Sequence, residues 1–351
     1  MRAGSWRHLV LLLLAAAAPT HQAADLHVQL IRLIVRPELV VPPELVPAVR
    51  TAVSRPSKCV PDSSVVLSIV NKHHARLRHL QFHFIQHRPC FMRRVVSVTY
   101  SNASDSFGTC VRSSFVVPPS DFRRSNYANL IWAKWRIIRD ALTVAKRALW
   151  LDADVLILRN PWSALGLLGD QTALNAPEHD IRYQSEPPPA ADTVNNCNPP
   201  VPACNLCGIM NGGQLYVTSN ELAASIYGAR PKNLSNTDRL DQDWADAIIH
   251  GESRFSYLLG NASHGNYHPP RRRYSSCILP IAFASQCWNN LRFVQGLLGK
   301  GNPPNNDHKI LGCKRATHHF NCVPSRREKG SMMKELIDKW GHACGNRTAY
   351  E

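Results

Sequence analysis

A long apolar segment that contains two aspartates constrains the fold more than any other feature of the sequence. Residues 148–158 read A-L-W-L-D-A-D-V-L-I-L, and Asn160-Pro161 follows shortly after. A nearly continuous apolar run is typical of a strand buried on both faces, as in a parallel sheet covered by helices, and the Asn-Pro pair ends it. In such a strand Asp152 and Asp154 project to the same face.

The segments upstream of these aspartates alternate between strand and helix patterns. Residues 65–70 and 95–100 are predicted strands, and residues 73–88 between them have the apolar spacing of one helix face. Residues 131–145 place apolar side chains on a single helical stripe just before the aspartate segment. This order implies right-handed crossovers and therefore an α/β fold, a single Rossmann-like domain with a mostly parallel central sheet.

The downstream half of the chain has weaker patterns. Residues 184–207 are rich in Pro, Asn and Cys and are predicted to form an insertion loop stapled by disulfides. Residues 214–217 are a predicted strand, and residues 221–227 and 242–249 are predicted helices. Residues 251–319 show no clear period, and a last short helix follows them.

The N-terminus has the pattern of a secretory leader. Two arginines precede an apolar run at residues 9–18, and small residues follow it. A membrane span needs about 20 apolar residues, so this run is too short for one. We therefore predict a signal peptide over residues 1–24, a proline-containing stem over 25–60 and a single domain over 61–345. A short uncleaved anchor is the alternative.

Cysteines and glycosylation acceptors indicate the same compartment. The chain has eleven cysteines, an odd number that leaves at least one outside intrachain pairs. Four Asn-x-Ser/Thr acceptors begin at Asn102, Asn233, Asn261 and Asn346. Both features are typical of an oxidising lumen, so we predict residence in the Golgi or endoplasmic reticulum, or secretion.

The net charge of +16 does not by itself indicate a nucleic-acid partner. Lys and Arg are spread along the chain, and residues 271–273 form the one tight cluster. No helix-turn-helix, zinc-finger or RNA-recognition signature accompanies them. The absence of P-loop, Gly-x-Gly-x-x-Gly, His-Glu-x-x-His and Gly-x-Ser-x-Gly motifs disfavours kinases, dehydrogenases, zinc proteases and serine hydrolases.

Asp152 and Asp154 are the strongest candidates for chemistry. A buried carboxylate without a partner is costly, so such a pair either binds a cation or lies at an exposed strand end. All-oxygen ligands suit a hard divalent ion such as Mn²⁺ or Mg²⁺, which readily shares its ligands with substrate phosphates. The apolar flanks on both sides favour the metal interpretation.

The segment A-L-W-L-D-A-D-V-L-I-L-R-N-P-W, residues 148–162, resembles the Asp-x-Asp segment of GT-A glycosyltransferases. It is most similar to glycogenin-like (family 8) enzymes and to plant and algal extensin arabinosyltransferase-like (family 77) enzymes. The resemblance extends patchily over residues 64–340. It implies a GT-A fold. It also implies a metal-dependent, retaining reaction in which a sugar is transferred from a nucleotide-diphosphate-sugar donor, a UDP-sugar, to a hydroxyl of a glycan or glycoprotein.

The resemblance also implies roles for residues around the donor. Lys134, on the helix before the aspartates, matches a lysine that reaches the donor diphosphate or sugar; an ordinary surface lysine is the alternative. Asn211, Gly212 and Gly213 match a strand entry that shapes the sugar pocket, and two glycines there permit close backbone approach.

Two further matches lie toward the C-terminus. Asp241 and Gln242 are similar to an Asp-Gln pair that contacts the donor sugar, although helix capping would also explain an acid there, and Asp243 is an open alternative. His318 and His319 are at the position where these families supply a third metal ligand, and the sequence does not distinguish between them. Two other functions stay open: a secreted lectin or polyanion-binding protein on an inactive GT-A scaffold, and a metal-dependent phosphohydrolase.

Overall fold

The fold is that of a computed structural model, which describes the following residues: 41–70, 75–100, 107–113, 125–168, 179–186, 209–229, 241–250, 274–280, 282–285, 313, 315–321, 323 and 325–344. These residues all belong to one unit, residues 41–351. The predicted signal peptide, the four glycosylation acceptors and most of the 184–207 insert lie outside the described residues.

The described residues form ten strands. They are β1 (Ser64–Val70), β2 (Val95–Thr99), β3 (Thr109–Arg112), β4 (Arg147–Leu151), β5 (Val155–Ile157), β6 (Ile181–Glu186), β7 (Ile209–Val217), β8 (Ser276–Ile278), β9 (Phe283–Ser285) and β10 (Thr317–His319). Seven of them make the central sheet, in the order β3-β2-β1-β4-β7-β6-β8, and the other three make a small sheet, β5-β10-β9.

The central sheet is mostly parallel, as the strand–helix–strand order predicts. β1 lies between β2 and β4 and runs parallel to both, so that Val66 pairs with Val95 on one side and Leu149 on the other. β7 runs antiparallel to β4 and β6, whereas β6 and β8 are parallel. The apolar β1, β2 and β4 are almost wholly buried, which explains their near-continuous hydrophobic sequences.

Within the described residues, eight helices accompany these strands. They are α1 (Leu45–Val53), α2 (Ala75–Gln81), α3 (Pro89–Met92), α4 (Ser125–Ala141), α5 (Pro161–Ala164), α6 (Asn220–Gly228), α7 (Asp241–His250) and α8 (Arg326–Cys344). The predicted stripe on α4 is confirmed, since Trp135 and Ile138 are fully buried. The stripe continues past the helix end, and Leu142 and Ala145 are buried in the turn that leads into β4.

The structure differs from the sequence prediction in the stem. Residues 45–53 form α1, which contacts α4, β1 and β2 and buries Leu45, Val49 and Ala52. The spacing of these three residues is helical, but prolines on either side obscured it. The part of the predicted stem from residue 41 onward is therefore packed into the domain.

The prediction of one continuous strand over 148–158 is wrong. The chain leaves β4 after Leu151, turns with a hydrogen bond from Val155 N to Asp152 O (3.1 Å), and resumes as β5 in the small sheet. β5 is antiparallel to β10, and β10 is parallel to β9. Both halves are buried, so hydrophobicity alone could not reveal the turn. The two aspartates consequently lie at the junction of the two sheets.

The irregular stretch that follows residue 251 contains three short strands, β8, β9 and β10, each of three residues. Disulfides close two loops of the described fold, Cys59–Cys90 and Cys313–Cys344, and Cys277 is also disulfide-bonded. These bonds agree with the predicted oxidised state of the cysteines. None of the helices within the described ranges is long and apolar enough to span a membrane.

Candidate metal and donor site

Asp152, Asp154 and His319 meet where β4 ends and β10 passes beside β5. One potential ligand atom from each lies within 4.8 Å of the others. The register of the small sheet brings this about, because His319 pairs with Val155, the residue directly after Asp154. Phe320 N then donates to Asp154 O (3.0 Å), which holds the two segments together. The structure thus brings together both predicted acids and one of the two predicted histidines.

Asp152 is held on three sides. Trp150 Nε1 donates to its Oδ1 (2.7 Å), Gln81 Nε2 donates to its backbone oxygen (2.9 Å), and its own N–H donates to Gly213 O (2.9 Å). These bonds come from the strand itself, from α2 and from β7. Fixing the backbone and one carboxylate oxygen holds the Asp152 side chain in one orientation.

The imidazole of His319 is oriented for metal binding. Its Nδ1 lies 2.9 Å from Gln184 Oε1, and because an amide oxygen only accepts, Nδ1 must carry the proton. Nε2 faces Asp154 Oδ1, 3.4 Å away, where it interacts favourably with that carboxylate when protonated and offers its lone pair to a cation when neutral. An imidazole whose second nitrogen donates to a neighbouring oxygen is the usual arrangement of a histidine ligand. Two carboxylates and this nitrogen fit a divalent ion such as Mn²⁺.

The backbone of Gly213 forms one wall of this site, and only a residue without a side chain leaves room there for the His319 ring. A Cβ built on Gly213 would lie 2.0 Å from His319 Cε1 and 2.6 Å from its Nε2, well inside contact distance. The His319 ring therefore lies directly against the β7 backbone. The sequence predicts that this glycine pair permits close approach of the donor sugar, and in the structure the group that lies against Gly213 is the protein's own imidazole.

The charges around the two acids differ. Burial raises the pKa of Asp152, with the charge of Asp154 adding to the rise and Lys134 opposing it. Burial would also raise the pKa of Asp154, but Lys329 and His319 outweigh it and hold that pKa well below its usual range. Lys329 Nζ is in direct contact with Asp154 Oδ2. Neighbouring carboxylates whose pKa values are pushed apart are typical of functional sites.

Lys134 is not a surface lysine. Its side chain and that of Asp241 are each only 5% exposed, and Nζ lies 2.6 Å from Asp241 Oδ2. The same ammonium donates to Gly212 O (3.0 Å), and Trp135 Nε1 donates to Asp241 Oδ2 (2.7 Å). α4 and the first residue of α7 are thus joined to β7 through one buried ion pair. Lys134 also acts electrostatically on Asp152, the residue directly after β4, where its charge opposes the rise of that pKa.

The remaining predicted residues line the same stretch of β7. Asn211 Oδ1 accepts from Gly213 N (2.9 Å), and Gln242 Oε1 accepts from Gly212 N (3.3 Å). Both amides therefore hold backbone of the glycine pair in place. The side chain of Asp243 lies outside the described residues.

His318 lies apart from the group of three. Successive residues of a strand point to opposite faces, and the ring of His318 packs edge-on against Phe320 with its Nδ1 3.3 Å from Arg315 Nη1. Burial lowers the pKa of that guanidinium to about 10. His318 and its arginine neighbour are part of the core beneath β10.

Sequence reasoning missed four contributors: Trp150, Gln81, Gln184 and Lys329. Trp150 could have been found, because it precedes Asp152 by the two-residue period of a strand. Gln184 lay in the segment assigned to the insert, and its strand β6 runs through that boundary. Lys329 follows His319 by ten residues in a polar stretch, where the sequence offers no signal.

A family model described as nucleotide-diphospho-sugar transferase matches residues 98–303. No curated protein matches the chain by sequence.

Several solved structures are similar to the chain. One is a glycosyltransferase involved in glycosylation of the major capsid of PBCV-1, with 13% identity over 78% of this chain and 98% of that chain, at a TM-score of 0.38. The galactosyltransferase LgtC has 10% identity over 80% and 96%, at 0.39. Mouse xyloside xylosyltransferase 1 has 11% identity over 75% and 99%, at 0.38.

Proposed function

Because the chain belongs to the nucleotide-diphospho-sugar transferase family, we propose that it moves a sugar from a UDP-sugar to a hydroxyl of a glycan or glycoprotein. The chain is a glycosyltransferase with a GT-A fold, and its donor, acceptor and metal requirement are the proposed part. The meeting of Asp152, Asp154 and His319 at the junction of the two sheets is the observation that carries the proposal. The carboxyl ends of parallel strands are where such folds bind nucleotides.

Asp152, Asp154 and His319 would hold the divalent ion, Mn²⁺ or Mg²⁺. Such an ion supplies positive charge against the diphosphate that leaves with the nucleotide. Trp150 and Gln184 hold the side chains of Asp152 and His319 in one orientation, so that these two ligands need no reorientation when an ion binds.

Lys134 is proposed to add fixed positive charge beside the donor. Asp241 and the Gly212 carbonyl hold its ammonium in a buried position, where its electrostatic effect is stronger than in water. Asp241 Oδ2 is engaged by both Lys134 and Trp135. This engagement favours a positioning role for Asp241 over that of a nucleophile, and Gln242 is proposed to shape the sugar pocket through Gly212. Retention of anomeric configuration is proposed from the family resemblance.

The proposed location is the lumen of the secretory pathway or the cell exterior. The Cys59–Cys90 and Cys313–Cys344 disulfides support this, because such bonds persist in oxidising compartments. The Cys59–Cys90 bond ties the segment between α1 and β1 to α3, and the Cys313–Cys344 bond ties the end of α8 to the segment before β10.

Nucleotide release from a panel of UDP- and GDP-sugars, with and without Mn²⁺, tests the proposal. We expect the wild type to release nucleotide from one of these donors. This release should require Mn²⁺. In Asp154→Ala the rate should fall at least ~100-fold, because several kcal/mol of charge stabilisation depend on the ligand set. Asp338→Ala, an exposed acid on α8, is the matched control and should keep the wild-type rate.

Two other outcomes would contradict the proposal. A folded wild type that neither binds nor cleaves any donor, yet retains heparin in EDTA, would favour the lectin or polyanion-binding alternative. Phosphate release from simple phosphoesters would favour the phosphohydrolase. That reaction commonly uses a second ion, and within the described ranges the only candidate ligand group is Asp152, Asp154 and His319.

A further inference from the structure

Lys329 contacts the candidate metal site, and this contact has no role in the proposed function. It lies in the first turn of α8, and its Nζ is against Asp154 Oδ2. The lysine side chain is 21% exposed and the Asp154 side chain 12% exposed, so the pair sits at the mouth of the site. An ammonium on a ligand oxygen of a cation site has the charge and the position of a competitor for that site.

The electrostatics of the two acids show what this ammonium does. Asp152 and Asp154 are close enough for their like charges to interact, and both are largely removed from water. Such a pair is unfavourable unless a cation compensates it. Lys134 acts on Asp152 but is ion-paired with Asp241, whereas Lys329 is in direct contact with Asp154. Lys329 therefore supplies compensating charge to the same carboxylate that would bind the ion.

The backbone that carries Lys329 is firmly anchored. Met333, Ile337 and Trp340 of α8 are buried against α2 and β5, and Cys344 at the helix end is bonded to Cys313. The side chain, by contrast, is a flexible four-carbon stem that is partly open to solvent. The ammonium can consequently leave Asp154 by rotation of its own side chain, with no movement of the helix.

We infer that Lys329 competes with the divalent ion for Asp154. The Lys329 ammonium and the ion bind the Asp154 carboxylate alternately, never both at once. The inference rests on the proposed function, in that it assumes a divalent ion at Asp152, Asp154 and His319. An ion of charge +2 and an ammonium on the same carboxylate repel each other, so ion binding displaces the lysine. Lys329 thereby weakens the apparent metal affinity and stabilises the acid pair whenever no ion is bound.

The test compares Lys329→Met with the wild type and with Lys339→Met. Lys339 is on the same helix but pairs with Glu335 on its exposed side, at 71% exposure, and so makes a matched control. The Mn²⁺ dissociation constant is measured from the electron paramagnetic resonance signal of free Mn²⁺, and the melting temperature is measured in EDTA. We expect Lys329→Met to bind Mn²⁺ roughly five- to tenfold more tightly and to melt at a lower temperature in EDTA.

A third variant guards against a general packing effect. Lys329→Arg keeps the charge and should leave the Mn²⁺ Kd within about twofold of the wild type, by the same electrostatic reasoning. Unchanged or weaker Mn²⁺ binding in Lys329→Met, or equal tightening in the arginine variant, would overturn the inference. If the wild type binds Mn²⁺ and releases nucleotide, but the Mn²⁺ Kd of Lys329→Met equals that of the wild type, the competitor role alone fails. If neither protein binds Mn²⁺, the competitor role and the metal requirement fail together.

Discussion

Gly213→Ala should abolish Mn²⁺ binding and lower nucleotide release at least ~100-fold while leaving the protein folded. The added Cβ would lie 2.0 Å from His319 Cε1 and 2.7 Å from its Nδ1, distances that real carbon atoms do not adopt. A small shift of the ring cannot relieve this clash, because its Nδ1 is hydrogen-bonded to Gln184 and its backbone belongs to β10. The imidazole must therefore leave the position from which Nε2 meets Asp154.

Gly228→Ala provides the matched control. Gly228 is the last residue of α6, and a Cβ built there meets nothing within 4 Å. It should leave Mn²⁺ binding unchanged and cost nothing in stability, since alanine is about 1 kcal/mol more favourable than glycine inside a helix. Mn²⁺ titration and chemical denaturation of both variants make the comparison. Wild-type Mn²⁺ affinity in Gly213→Ala would mean that His319 is not a ligand in the working enzyme.

The central sheet and the acid pair could be predicted because their signals are local. Buried parallel strands leave continuous apolar runs, and two carboxylates within such a run are conspicuous. The same reasoning predicted a single strand, whereas the structure has β4, a turn at Asp152 and then β5. Both strands are buried, so the change of sheet left no trace in the pattern of hydrophobicity.

The choice between His318 and His319 could not be predicted, because it depends on pairing between distant segments. β10 has only three residues, and its register with β5 sets which imidazole faces Asp154. Gln184, which orients His319, comes from a third segment whose strand continues into a Pro- and Cys-rich stretch. Short strands carry too few residues for a period to be read, and side-chain contacts between them arise only from tertiary packing.

Lys134 illustrates the same limit from the opposite direction. The sequence placed it beside the apolar stripe of α4, where a solvated lysine is the ordinary expectation. Its burial follows from Asp241, more than a hundred residues later, which the fold brings within 2.6 Å. The family resemblance indicated that both residues are functional, but not that they are partners.

Asp241→Ala should destabilise the fold by ~3–5 kcal/mol, the largest stability effect that we expect from any single change at the site. The substitution leaves the Lys134 ammonium buried without its counter-ion and removes the acceptor of Trp135 Nε1. It also removes a negative charge from the first turn of α7, where the helix dipole favours one. Urea denaturation of the purified protein measures the loss.

The double variant Lys134→Met/Asp241→Ala separates the ion pair from these other contributions. The double variant no longer has a buried ammonium without a counter-ion, so it should recover part of the stability lost in Asp241→Ala. The coupling free energy between the two substitutions should exceed ~1 kcal/mol. Nucleotide release should stay low in it, because the fixed charge proposed to face the donor is gone. If the two single losses simply add, the buried pair does not hold α4 to α7, and the destabilisation would instead come from Trp135 and the helix terminus.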